Sequence, residues 1–531
     1  MQNRSVIRSA FTVGGFTMLS RILGMVRDVL TASLFGTSLA FSAFSVAFRI
    51  PNLFRALFGE GALSSAFIPV FQEMRQTRGE EAAWRLANRI GSLAGVVLLV
   101  VVALGVLGMS GALWWVQGLS EKSRAILPLA RIMLPYVFFI CLAALAMGVL
   151  NTYRKFATSA FTPSLLNVTW ILSVLFVIPV FRARWPGTEI TVLSWTVFVA
   201  GAVQLGYLLG PLRRVGWRPR FDADWSDPLV RRVFLLMGPN ALGLAVNQVN
   251  VLLSSWLAML AGDWAPSTLF YAERLLYLPQ GILATSLGVV LLPVLSEFAA
   301  RGEYGNMRDA VQHGLRTLLF VMTPAAIGLL VLAAPAVRML FEHGKFDATS
   351  TLLTARALRF YAPGLMVFCL AKVFVPAFYA MQDTKTPVKI GLCSVAICFT
   401  CNVVAVNVLP EYWRHAGLAA STVVAEVFNG TMLAVLLHRR LGALQYRAVF
   451  ATVLRALALA AAMAAVAYFT NRWLVSVAAS WRPALAPFAV LPAIVLGAAA
   501  YFVLAKVCRV PELGFVTEAL RNRRKRKAPA E

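Results

Sequence analysis

The sequence predicts an all-α polytopic membrane protein. It has about fourteen transmembrane helices, in two six-helix lobes forming a parallel pseudo-repeat, plus two extra C-terminal helices. Three observations predict this. The 531 residues are 59% hydrophobic and only 14% charged, whereas soluble domains are roughly 45–50% apolar and about a quarter charged. The apolar residues gather into runs of spanning length, separated by loops that are alternately basic. A proline-centred motif recurs in the second half at a fixed offset.

The runs are justified in order. A span needs roughly 20 apolar residues. Such runs lie at about 7–34, 38–70, 90–116, 126–150, 159–181, 189–211 and 232–260. Further runs lie at 267–298, 309–334, 353–381, 386–409, 415–437, 448–470 and 483–507. With the N-terminus inside, the cytoplasmic connections hold Arg75, Arg85, Arg89, Arg154, Arg213, Arg220, Arg301, Lys385 and Arg439 among others. The opposite side is sparse, with Lys122, Arg182, Lys345 and Arg414 among its cations. The bias is roughly threefold, as the positive-inside rule requires, and places both termini in the cytoplasm. The N-terminus has Arg4 and Arg8 but no small-residue cleavage site before the next polar turn, so a removable signal peptide is not expected.

The repeat sets the domain plan. Phe67–Glu73 recurs as Leu291–Glu297, so Pro69 maps to Pro293, 224 residues on. Thr162-Pro163 recurs as Thr386-Pro387 at the same offset, and Tyr136 and Tyr361 come within one residue of it. Six spans per half is an even number, so both halves share one orientation, as in transporters with parallel repeats. The expected boundaries are 1–218 for spans 1–6 and 219–440 for spans 7–12. Spans 13 and 14 follow at 441–510, and a basic tail at 511–531.

Charges inside the spans mark the candidate site. An arginine at the bilayer centre costs ~2.5–3.5 kcal/mol on insertion scales, and such residues face a protein interior or a water-filled cavity. Arg21, Arg27, Arg49, Arg55 and Arg274 lie in such runs, which points to a basic cavity for an anionic substrate. Arg21 and Asp28 are seven apart, close to one helix face. Asp28 either pairs with an arginine or, with Arg27, snorkels at the membrane edge. In span 2, Pro51 and Gly59-Glu60-Gly61 break the helix beside Asn52 and Arg55. Broken helices are tolerated where they are buried in protein or line a cavity. Glu60 is either a cavity acid or a structural partner of one of these arginines, and Glu273 beside Arg274 poses the same choice. Lys372 and Glu426 either couple an ion or pair with each other.

Several chemistries find no support. The net charge of +26 reflects cytoplasmic loops, and no zinc finger or free basic helix suggests nucleic acid. Gly344-Lys345 lacks the upstream glycine and the Ser/Thr of a phosphate loop, so no nucleotide site is expected. The six cysteines read as packed thiols, lacking paired CxxC spacing and a histidine partner, so neither metal nor disulfide is expected. No cofactor is implied, and no catalytic arrangement for an intramembrane enzyme is evident.

Together, Ser20-Arg21-Ile-Leu-Gly24, Arg27-Asp28, Pro51-Asn52-Leu-Phe-Arg55, Glu60-Gly61-Ala62, Leu150-Asn151-Thr152, Tyr271-Ala-Glu-Arg274 and Lys385–Ile390 resemble the MurJ (MviN) lipid II flippases. That family belongs to the multidrug/oligosaccharidyl-lipid/polysaccharide exporter superfamily. The resemblance implies a monomeric flippase of the bacterial cytoplasmic membrane, moving lipid II outward by alternating access. Lipid II is the undecaprenyl-pyrophosphate-linked disaccharide pentapeptide. The resemblance assigns Arg21, Arg27, Arg55 and Arg274 to the substrate cavity, with Asp28 and Glu60 as cavity acids, and spans 13–14 to a groove for the polyprenyl tail. Arg49 stands where relatives have lysine. Ser42 stands where many members have an acid, so no role of that acid carries over. The alternatives are another polyprenyl-pyrophosphate flippase, or a cation-coupled multidrug exporter, which the arginine-rich interior disfavours.

Overall fold

The computed structural model describes residues 2–57, 63–281, 285–442 and 444–514. Side chains are described for these except at 2–11, 63–65, 239–244, 247 and 285–290. Among the described residues the chain is helical and without strands. Glu60 and the Gly-Glu-Gly break lie outside the described residues, as does the chain beyond 514.

The first compact unit runs from Met1 to Ser267. It contains α1 (Gln2–Phe35), α2 (Leu39–Phe54), α3 (Leu63–Arg78), α4 (Glu80–Trp115), α5 (Glu121–Met133), α6 (Tyr136–Thr152), α7 (Phe156–Leu172), α8 (Ile178–Arg184), α9 (Glu189–Arg214) and α10 (Pro228–Ala261). Helix α1 packs on α7, α2 on α5, and α6 and α7 on α9. Helix α10, which the repeat would place in the second half, packs against α2 and α3. Ser38 caps α2 by accepting from the Phe41 amide, which satisfies one of the open donors at a helix start.

The second unit runs from Thr268 onward. It contains α11 (Ala265–Pro279, whose first turn belongs to unit one), α12 (Thr285–Ala300), α13 (Tyr304–Val331), α14 (Ala333–Phe341), α15 (Ala348–Tyr361), α16 (Gly364–Phe368) and α17 (Ala371–Ala380). Then come α18 (Lys385–Val408), α19 (Glu411–Leu441), α20 (Tyr446–Trp481) and α21 (Val490–Val507). Asp383 closes the start of α18. Its carboxylate accepts from the Thr386 amide at 3.0 Å and hydroxyl at 2.6 Å, and pairs with Arg440 at 2.6 Å. Burial pushes this carboxyl up, but the Thr386 hydrogen bonds and the arginine outweigh it and hold the group below the usual range.

Among the described residues, eight helices are long and apolar enough to cross a membrane, or ten if two bent pairs each count as one span. The other four expected spans fall on α1, α2–α3, α10 and α11–α12. The architecture is thus a multi-pass helical membrane protein, consistent with fourteen spans. The bent pairs are α5–α6, turned by 41°, and α15 with α16–α17, turned by 50°. These are spans 4 and 10, partners in the repeat. Spans 2 and 8 also match, since each widens to a π-turn, at 55–57 and at 280–281.

The backbone corrects the register of the repeat. Gly79 and Gly302 both take positive φ after the helix that carries the repeated proline, an offset of 302 − 79 = 223. Arg154 and Gln382 both take positive φ after the bent spans, an offset of 382 − 154 = 228. The second half has therefore gained about one helical turn between these points. Pro69 and Pro293 are close to structural register. Thr162 lies in the second turn of α7, but Thr386 lies at the start of α18, so that anchor is about one turn out.

The two extra helices pack on each other and on α13. A β-carbon on Gly497 would lie 3.0 Å from that of Ala467, so glycine allows α21 to approach α20 closely. Tyr501 donates to the Phe320 carbonyl at 2.7 Å, which fixes α21 to α13.

Candidate functional site

Each unit's arginines can be built from their own neighbours. In unit one, Arg27 and Asp28 are 8% and 3% exposed, so they do not snorkel at a membrane edge. The Arg27 guanidinium donates through Nε and Nη2 to Asp28 Oδ1 at 2.9 and 2.7 Å. Its Nη1 donates to Asn167 Oδ1 at 3.0 Å. The cation lies 4.8 Å from the centre of the Trp170 ring. Asn167 Nδ2 returns to the Ser20 carbonyl at 3.0 Å. Trp170 donates to Thr31 Oγ1 at 3.1 Å, and Thr31 donates to the Arg27 carbonyl at 2.7 Å. The acid neutralises the arginine at its own helix, and α7 supplies the remaining acceptor. This network ties α1 to α7. Asn167 and Trp170 are three residues apart and so share a face of α7. They are the partners that the sequence reading missed.

Arg21 is exposed although it shares a face with Asp28. The same-face expectation therefore does not bring the two into one environment, because seven residues also separate them by about 10 Å along the axis. In α2, Pro51 is buried. Arg55 sits at the π-turn and donates through Nε to Asn52 Oδ1 at 2.8 Å. Arg49 is half-buried on the same helix. Helix α2 thus brings Arg55 and Asn52 together at its π-turn.

Ser42, the departure from the family motif, is fully buried. Its hydroxyl donates to Ser267 Oγ at 3.0 Å, and Ser267 donates to the Trp264 carbonyl at 2.8 Å. A neutral hydroxyl chain occupies the position, and no ion pair is needed there.

In unit two, the half-buried Arg274 lies 4.3 Å over the Phe270 ring, one turn back on α11. Glu273 is half-buried beside it. Lys372 on α17 is exposed. Glu426 on α19 accepts from Asn429 at 3.1 Å. Among the described residues no histidine, cysteine and acid group is arranged to hold a metal ion. All six cysteines are free. Cys141, Cys369 and Cys398 are buried, but Cys393 and Cys508 are exposed, so the reading of packed thiols fits only part of the set.

A sequence profile of the family described as lipid II flippase MurJ matches residues 31–485. The lipid II flippase MurJ of Burkholderia cenocepacia is 37% identical over 448 residues, covering 82% of this chain and 84% of that protein. The chain belongs to the MurJ lipid II flippase family. A probable MurJ of Rhizobium tropici is 33% identical over 534 residues, 99% of this chain and 98% of its own length. The fold agrees. A solved MurJ in an inward closed conformation superposes with TM-score 0.73 at 24% identity, covering 93% of this chain and 98% of that one. An inward-facing multidrug resistance MATE transporter of the MOP superfamily gives 0.65 at 13% identity, covering 82% and 99%. The profile match thus spans the arginine-bearing helices α2 and α11 and the whole of α20.

Proposed function

We propose that this chain flips lipid II from the cytoplasmic to the outer leaflet of a bacterial inner membrane. It does so as a monomer with both termini cytoplasmic, by alternating access of an arginine-lined cavity. Its family membership across nearly the whole chain carries this reading. The placement of the arginines supports it. Asn52 and Arg49 lie on α2 just before the π-turn that holds Arg55, Arg274 lies on α11 ahead of a second π-turn at 280–281, and Arg21 is exposed on α1. Arginine presents a planar fork of donors that suits pyrophosphate. Arg27 and Asp28 contribute differently, since their bonds hold α1 on α7 and thereby hold Arg21 in place. The grouping of α20 with α21 outside the repeat fits a groove for the polyprenyl tail.

A cation exporter needs acids and aromatic faces in its cavity, and the likeness to the MATE transporter is one of fold alone. An enzyme acting on the same lipid would change its covalent structure. Reconstitution into vesicles with labelled lipid II separates these readings. Movement across the bilayer with the lipid chemically unchanged is the expected result, and a converted lipid would defeat the transport reading. Arg274→Ala is expected to abolish movement while inserting normally, through loss of a charge-assisted contact of roughly 1.5–3 kcal/mol. Wild-type rates in that variant at equal abundance would remove Arg274 from the site. Movement of one net negative charge outward runs with an inside-negative potential, ~2.3 kcal/mol per 100 mV. Rates are accordingly expected to follow an imposed potassium-diffusion potential without nucleotide.

A further inference from the structure

We propose that unit one carries a binding site for an anionic phospholipid on its basic face, separate from the arginines assigned above to the substrate cavity. The site is a cavity of about 350 Å³ between α4, α6, α9 and the loop after α9. Its walls include Gly95, Phe138, Leu142, Leu205 and the buried Trp217, and the exposed Arg220 stands at its rim. The lining runs along α4 from Ala87 to Leu99, which is 99 − 87 = 12 residues, or about 18 Å. That is close to half of a hydrocarbon core of roughly 30 Å. The cavity thus has the length of one acyl chain of one leaflet.

The mouth is built and polar. Asn88 Oδ1 accepts from Trp217 Nε1 at 2.8 Å and from the Arg220 amide at 3.2 Å. Ser92 Oγ accepts from the Asp222 amide at 2.9 Å. These bonds fix the loop over the cavity and leave the Arg220 side chain exposed. Phe221 beside it is 71% exposed and presents an apolar ring at the rim. Arg89 is the neighbouring cation, but Asp222, Asp224 and Asp227 surround it, so it has no charge left for a ligand. Arg213, Arg214, Arg218 and Arg220 are exposed and make this rim cationic.

The physical division of labour follows. An acyl chain gains little by leaving other chains for an apolar groove, because lipid tails are as apolar as leucine. Selectivity must come from the head, and a basic residue near the surface attracts an anionic lipid. The occupant is therefore a phosphatidylglycerol-like lipid, its chain along Phe138 and Leu142 and its phosphate at Arg220.

The test uses the full chain in detergent with equal amounts of phosphatidylglycerol and phosphatidylethanolamine of identical chains, read by native mass spectrometry. Wild type is expected to retain the anionic lipid about fivefold over the zwitterionic one, the effect of one surface charge contact. Arg220→Glu is expected to bring the ratio near one. Arg124→Glu, the same charge change in the first turn of α5, is expected to leave it unchanged. Gly95→Leu and Leu205→Trp fill the groove and are expected to reduce retention of both lipids, with monodispersity checked by gel filtration. Equal retention of both lipids by wild type would overturn the proposal. So would equal losses in Arg220→Glu and Arg124→Glu, or retention unaltered by both groove-filling variants.

Discussion

Arg27 and Arg316 are both helix arginines held by an acid, but the acids come from different distances along the chain. Arg27 is paired with its immediate neighbour Asp28. Arg316, on α13, donates through Nε and Nη2 to Glu512 at 2.9 and 2.5 Å, across 196 residues of sequence. The first pair is neutral on a single helix before any packing occurs. The second exists only after the end of the chain has docked. A charge buried with its partner alongside avoids an isolated charge in hydrocarbon, whereas a pair assembled late acts as a clasp. The first pair is also sealed, while the Arg316 side chain keeps 24% exposure beside a fully buried Glu512. Losing a partner should therefore cost more in the first region.

The largest expected effect comes from Arg27→Ala. It leaves Asp28 buried with no cation and removes the bond to Asn167. Breaking a buried pair by deleting one member costs about 3–5 kcal/mol. Thermal unfolding in detergent should show this as a marked loss of stability. The double variant Arg27→Ala/Asp28→Ala should recover part of it, since no lone charge remains. A double variant as unstable as the sum of the singles would show that the two charges are not coupled.

Glu512→Gln is the matching cut in the second region, with an expected cost of about 2 kcal/mol, in the range for hydrogen bonds to charged groups. It also carries a pH signature. Burial pushes the Glu512 carboxyl up, but the Thr452 and Arg316 hydrogen bonds outweigh it, and the group lies below its ordinary value of 4.5. A depressed carboxyl contributes stability that is complete above the unfolded value and is lost as pH falls through the folded one. The wild type should therefore lose stability on acidification below about pH 4.5, and Glu512→Gln should lose less over the same interval. Parallel pH curves for the two proteins would reject the clasp.

The two regions were unequally legible in the sequence. Arg27-Asp28 was visible, because charges inside an apolar run cannot be ignored. Asn167 was not, because it lies 140 residues away and an asparagine in a span has many ordinary uses. Arg316 sits near the polar start of span 9, where a cation is unremarkable. Glu512 falls in a stretch that reads as a basic tail, yet residues 511–514 form a helical turn, and Leu513 packs against the cluster around Phe320. An acid directly after Pro511, at the end of the last apolar run, was the available signal. Architecture was easier to read, because hydropathy and loop charge act over whole spans. The repeat was legible in its proline but not in its register, since an inserted helical turn leaves no mark on the motif itself.

The smallest expected effect compares two threonines that hold these regions. Thr31 accepts the buried Trp170 N–H and donates to the Arg27 carbonyl. Thr452 meets Glu512 Oε1 at 2.6 Å, an oxygen that Arg316 also reaches. Threonine to valine keeps the shape and removes the hydroxyl in both. In Thr31→Val the indole N–H keeps no acceptor in a sealed site, at a cost of about 1–3 kcal/mol. In Thr452→Val the hydroxyl that accepts from Arg316 and donates to Glu512 is lost, but the two charged groups keep each other and neither is left without a partner, so the cost is at the low end for bonds to charged groups, about 1.5 kcal/mol. Thr31→Val should accordingly lower the unfolding temperature more than Thr452→Val. The reverse order would mean that the clasp at the end of the chain, and not the sealed pair on α1, is the tighter of the two.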